Sequence, residues 1–123
     1  MNKSQVLNSF WNSFSWSAYH ENSVPDNTPF PYITYSEVTD SLGNVVALTA
    51  SLWDRGSSWE RITKKSEEIA KCIGEYGHKV IKLDCGYIWL VKGTPFAQRM
   101  GDPNDDQIKR IYLNVLGEYL TAY

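Results

Sequence analysis

Cysteine and histidine are scarce in this chain of 123 residues, two of each, and their placement excludes most metal and thiol chemistry. Cys72 and Cys85 form no CxxC spacing, so neither a disulfide framework nor a zinc site is expected. No motif around either cysteine marks a reactive thiol, and catalysis by either is not expected. His20 and His78 lie far apart and outside any HxH, HExxH or CxxCH pattern, which leaves them as surface side chains. Long apolar runs are missing as well: none approaches the roughly 20 residues that span a bilayer. Lys3 is followed by polar Ser, Gln and Asn instead of a continuous apolar stretch, so no export signal is expected and a reducing, cytoplasmic origin fits. Nor is there an excess of one charge. Twelve basic against 14 acidic residues give a net charge of -2, which provides no long-range field for nucleic-acid phosphates and argues against sequence-specific DNA binding.

Two polar segments imitate binding motifs and lack their essential parts. Asp102-Pro103-Asn104-Asp105-Asp106 clusters oxygens but does not follow the Dx[DN]x[DN]Gx5E order of a calcium loop. Trp53-Asp54-Arg55-Gly56-Ser57 leads into a helix without the glycines and lysine of a phosphate loop. Catalytic, cofactor and metal residues are therefore expected to be none, and the chain reads as a non-enzyme.

What is abundant is aromatic: five Trp, eight Tyr and four Phe. Such side chains fill cores, and they are also what protein interfaces enrich. The length suits one domain over 1–123 with a core that needs no staples. Val6, Leu7, Phe10, Trp11 and Phe14 fall at helical spacing and predict a helix over about 3–14. Residues 15–31 hold Pro25, Pro29 and Pro31 among Asn, Ser and Asp, and predict a long irregular connector pinned by Trp16 and Tyr19. Tyr32–Thr39 and Val45–Trp53 read as the two strands of a hairpin turning at Gly43. Leu48, Ala50 and Leu52 share one face of the second strand with Val46, while Ser51 and Trp53 share the other.

Ser57 and Glu60 have the spacing of a capping box for a second helix. Its stripe runs Trp59, Ile62, Ser66, Ile69, Ile73 and Tyr76, with Gly77 as its left-handed end. Lys79–Leu83 and Tyr87–Val91 predict a second hairpin around Asp84-Cys85-Gly86. The run after Ile108 fits a helical stripe and a strand alternation alike; its β-branched and aromatic content favours a strand. Between these runs, Thr94–Gln107 carries Pro95, Gly101, Pro103 and Asn104 and predicts a presented loop, anchored by Phe96 and Met100, with Arg99 and Asp102 as charged contacts. The expected fold is α+β: a helix and connector over 1–31, then a core over 32–123 in which a small antiparallel or mixed sheet of about four to five strands packs against helices.

Several short segments carry a resemblance. Phe10-Trp11-Asn12-Ser13-Phe14, Pro25-Asp26, Phe30-Pro31-Tyr32-Ile33-Thr34-Tyr35, Ser51-Leu52-Trp53, Gly101-Asp102-Pro103-Asn104-Asp105, Ile108 to Asn114 and Tyr119-Leu120-Thr121, in that order, resemble tail terminator (tail completion) proteins of long-tailed bacteriophages. The resemblance implies a C-terminal strand and a structural role. A homohexameric ring would cap the tail tube, stop tube protein polymerisation and present a docking surface for a head-closure or connector protein. It also implies a place in the virion neck after assembly in the host cytoplasm, with genomic DNA passing through the channel without sequence-specific binding. An open edge at Tyr32–Thr39 and the 94–107 loop are the expected halves of the ring contact. Tyr32, Tyr35, Trp53, Arg55, Phe96, Arg99, Met100, Asp102 and Asp105 are the candidate interface residues. The alternatives are another neck protein on the portal side and, from a different class, a small-ligand binding domain.

Overall fold

The computed structural model describes residues 1–123. It is mostly sheet, 46% strand against 20% helix, curled into a half-barrel, which corrects the expectation of a small sheet packed on helices. The elements in order are α1 (Lys3–Asn12), β1 (Ser17–His20), β2 (Tyr32–Tyr35), β3 (Val45–Ala47), β4 (Ala50–Arg55), α2 (Glu60–Gly74), β5 (Lys79–Leu83), β6 (Gly86–Asp102) and β7 (Asp105–Thr121). The sheet order is β1-β2-β4-β7-β6-β5, with β3 paired to β7 beyond the end of β4. All neighbours are antiparallel except β1 and β2.

The first helix forms as its periodicity predicts, opening on a capping box in which Asn2 accepts from the Gln5 amide and Gln5 accepts in return from Asn2. Its buried face brings Phe10 edge-on to Trp11 at 5.0 Å and to Phe14 at 5.3 Å. The second capping box does not form. The helix begins at Glu60 with no side-chain cap from Trp59, and Ser58, not Ser57, accepts from the Glu60 amide. Ile62, Ser66, Ile69 and Ile73 are buried as the stripe predicts, while Tyr76 lies past the helix end and is exposed. Gly77, at φ +87°, turns the chain there.

Four other expectations are corrected by pairing. The connector over 15–31 contains β1, which aligns with β2 from Ser17 opposite Tyr32 to His20 opposite Tyr35. The predicted first hairpin keeps its partners but not its length: β2 stops at Tyr35, and the second strand breaks at Leu48-Thr49 into β3 and β4. With β1 on one side and β4 on the other, Tyr32–Thr39 is not an edge. Finally, 94–107 is not a loop. β6 and β7 continue as one long hairpin whose turn is only Pro103-Asn104, and Gly93 and Pro95 sit in an irregularity between Lys92 and Ala97. At Gly93 an added Cβ would collide with the side-chain amide of Asn114, which would have to move to make room.

Both helices pack on one face of the sheet, against Ile33, Leu52, Ile88, Leu90, Ile111 and Leu113. The opposite face has no covering element. No helix is long and apolar enough to cross a membrane.

Candidate functional site

The alternation of strand side chains delivers four residues to the bare face in one row. Tyr32 on β2 lies opposite Trp53 on β4, Trp53 opposite Arg110 on β7, and Arg110 opposite Met100 on β6. The Tyr32 and Trp53 rings stack at 6.2 Å and 17°. Trp53 Nε1 donates to Thr34 Oγ1 at 2.9 Å, which fixes the indole. The Arg110 guanidinium lies 4.9 Å from the Trp53 ring centre and 5.9 Å from that of Tyr112 on the next row. Its Nε donates to Ser51 Oγ at 3.0 Å, so the head group is held by geometry and not by a carboxylate: the four ion pairs of the chain do not include it. Phe30 and Tyr19 extend the aromatic surface from Tyr32, at 5.3 and 6.3 Å. Burial raises the Tyr32 phenol above its usual range, so it stays neutral.

Two shallow depressions flank the row. One, of about 250 Å³, lies between Tyr32, Ser51, Arg110 and Tyr112 and is closed by Glu21 and Val24 of the connector. The other, of about 360 Å³, lies under the hairpin tip between Trp53, Met100, Pro103 and Ile108.

The nine residues singled out from sequence thus separate. Tyr32, Trp53 and Met100 share the row. Arg55, two residues further along β4 and opposite Ile108, meets Asp105 2.8 Å away. The Asp105 carboxyl is held below its ordinary value first by the Gln107 amide and then by Arg55. Asp102 lines the depression under the tip and accepts from the Asn104 amide at 2.8 Å. Tyr35 is buried on the helix side, its hydroxyl accepting from Asn8 at 3.0 Å, and presents nothing to a partner. Phe96 and Arg99 also face the helix side, Arg99 lying 4.9 Å from the Trp59 ring centre and donating to Thr63 Oγ1 at 3.2 Å. The residue that sequence reasoning missed is Arg110. The signal was available in the alternation Ile108, Arg110, Tyr112 along one face of β7, but it has meaning only once Trp53 is known to lie across from it.

The largest cleft, about 650 Å³, opens where β4 meets α2. Its charges answer one another. Buried Asp54 takes both Arg61 and the Arg55 amide, an arrangement that raises the Arg61 pKa, and Lys65 meets Glu68 at 3.0 Å. No three His, Cys, Asp or Glu side chains gather as a metal site, and both cysteines are half-buried, Cys72 on α2 and Cys85 in the β5–β6 turn. Comparison with protein-family models, curated proteins and solved structures finds no match to this chain.

Proposed function

We propose that the chain is a structural assembly subunit of the tail terminator kind, forming a ring that caps a phage tail tube and presents a docking surface for the head. The observation that carries this reading is the bare sheet face with Tyr32, Trp53, Arg110 and Met100 in one row. Trp, Tyr and Arg dominate interface hot spots, and a half-buried guanidinium without an acid is a contact waiting for one. The resemblance in Pro31 to Tyr35, Ser51 to Trp53 and Ile108 to Asn114 supports the same reading, because these segments lie in three of the four strands that build the row. A ring requires two unlike surfaces on each subunit. On this reading the row is one of them, and a neighbour's acidic surface is the other. Genomic DNA would pass such a ring without being gripped.

The test is sizing at rising protein concentration, with and without purified tail tubes, for the wild type, Trp53→Ala and Arg110→Glu. The wild type is expected to form a ring, alone or on tubes. Both variants are expected to remain folded monomers that do not sediment with tubes. A wild type that stays monomeric and never binds tubes overturns the reading, and binding to portal complexes instead would assign the chain to the head side of the neck.

A further inference from the structure

β6 and β7 are equally long, but β6 lacks a second neighbour for most of its length. β5 covers it only from Gly86 to Leu90, whereas β7 stays paired to it as far as Asp102. From Val91 to Gly101 one side of its backbone is unpaired, and none of the turn, loop or cap hydrogen bonds reaches it.

The other edges are protected. On β1 the Asn12 side chain donates to the Ala18 carbonyl at 3.2 Å and accepts from the Ala18 amide at 3.0 Å, two bonds that an added strand would have made. β5 displays exposed Lys79 and Lys82, a charge guard against edge pairing. β3 is three residues long. On β6 itself Pro95 and the irregularity before Ala97 block one end. Ala97 to Gly101 has neither device, and Ala97, Gln98 and Arg99 are exposed.

Helix α2 overhangs this edge. A groove of about 340 Å³ runs between them, walled by Thr63, Ala70, Phe96, Ala97 and Arg99, with Glu67 on its rim. Arg99 and Glu67 take part in no ion pair. The backbone asks for a strand, since unpaired edge groups are satisfied by one, and the groove says what it should carry. Side chains of an added strand point inward at every second position. One of them would meet Phe96 and Ala70 and should be apolar. The next would meet Arg99 and should be acidic, while Glu67, a helical turn from Thr63, disfavours an acid further along.

We propose that Ala97–Gly101 is the docking edge for an extended segment of a partner protein, which joins the sheet as a strand and places an apolar side chain and, two residues away, a carboxylate beneath α2. A second copy of this chain fits poorly: β1 is closed by Asn12, β5 brings lysines toward Arg99, and β6 against β6 sets two Arg99 side chains in one groove. The inference rests on this edge alone and not on the ring reading.

A display library of short random peptides, panned against the whole chain, supplies the probe. Enriched peptides are expected to share an acid and an apolar residue two apart. N-methylation of a selected peptide on one alternate set of amides should abolish binding, and on the other set leave it intact. Arg99→Glu, checked for unchanged thermal melting, should weaken binding on the order of tenfold or more, with Arg99→Lys retaining most of it. Three results would each overturn the proposal: no enrichment, binding indifferent to which amides are methylated, or self-association of Arg99→Ala through this edge, which would make Arg99 a guard against pairing. Ring formation is read separately by sizing, so either idea can fail alone.

Discussion

At Gly117 a methyl group would stand 2.6 Å from Leu48 Cδ1 and 3.2 Å from Leu90 Cδ2. The residue is in a strand, where glycine is a poor former, because two core leucines occupy the space a side chain would take. Gly117→Ala is therefore expected to lose about 1–3 kcal/mol by overpacking, read as a lower urea midpoint at unchanged slope. From sequence the same glycine counts only as a weakness in a possible helix, since its neighbours Leu48, in the break between β3 and β4, and Leu90, on β6, are far away in the chain. Tyr119 offers a second test. Loss of water, and then Glu37, push its hydroxyl up to about 12, against roughly 10 in an unfolded chain. The neutral phenol favoured by folding contributes fully below the unfolded value, and that contribution is lost as pH rises through the folded one. Tyr119→Phe gives up the 2.7 Å bond to the Val38 carbonyl and should cost about 1 kcal/mol at neutral pH. Its stability should then fall less steeply than the wild type's in alkali, and parallel decline in a pH series of denaturation curves would show that Tyr119 does not titrate there.

Among the elements, those whose partners are close in sequence or whose faces repeat were legible. Helices α1 and α2 follow from their apolar stripes, and the β5–β6 hairpin from its turn residues. β1 was not, because four residues of mixed polarity carry no period, and its edge is completed by a side chain from α1. That dependence makes a prediction: Asn12→Ala removes both bonds to Ala18 and should destabilise the fold by about 1–3 kcal/mol, since two backbone groups in a half-covered site lose their partners. Chemical denaturation reads the loss, and light scattering should show more association than wild type as the uncapped edge becomes available. In sequence the hairpin tip looks like a loop, because Pro95, Gly101, Pro103 and Asn104 all favour turns. Only the last two turn the chain. Ala97–Gly101 is held extended by cross-strand pairing with Lys109–Leu113, which local composition cannot report.

For the whole molecule, the question raised by the aromatic content has two answers in different places. Phe10, Trp11 and Phe14 fill the core, whereas Tyr19, Phe30, Tyr32, Trp53 and Tyr112 lie on the uncovered face. Three of the nine singled-out residues proved to share the row, because the alternation rule places side chains on faces correctly once strand limits are known. Arg110 entered only with the register. Its charge reversal is expected to leave thermal melting within a few degrees of wild type, since a half-buried guanidinium with no ion pair contributes little to folding, while abolishing assembly; a large fall in melting temperature would make Arg110 a stability residue instead.

β7 is the only strand that touches both halves of the sheet, pairing with β3 and β4 on one side and β6 on the other, and it follows every other strand in the chain. A ribosome making this protein therefore extrudes two unjoined strand groups before the piece that welds them. Nascent chains halted after Asn104 should show no cooperative unfolding and should be digested quickly by protease, with resistance appearing only once the final strand has left the exit tunnel. The native state thus waits for β7, because a chain that lacks it has two strand groups and no continuous sheet.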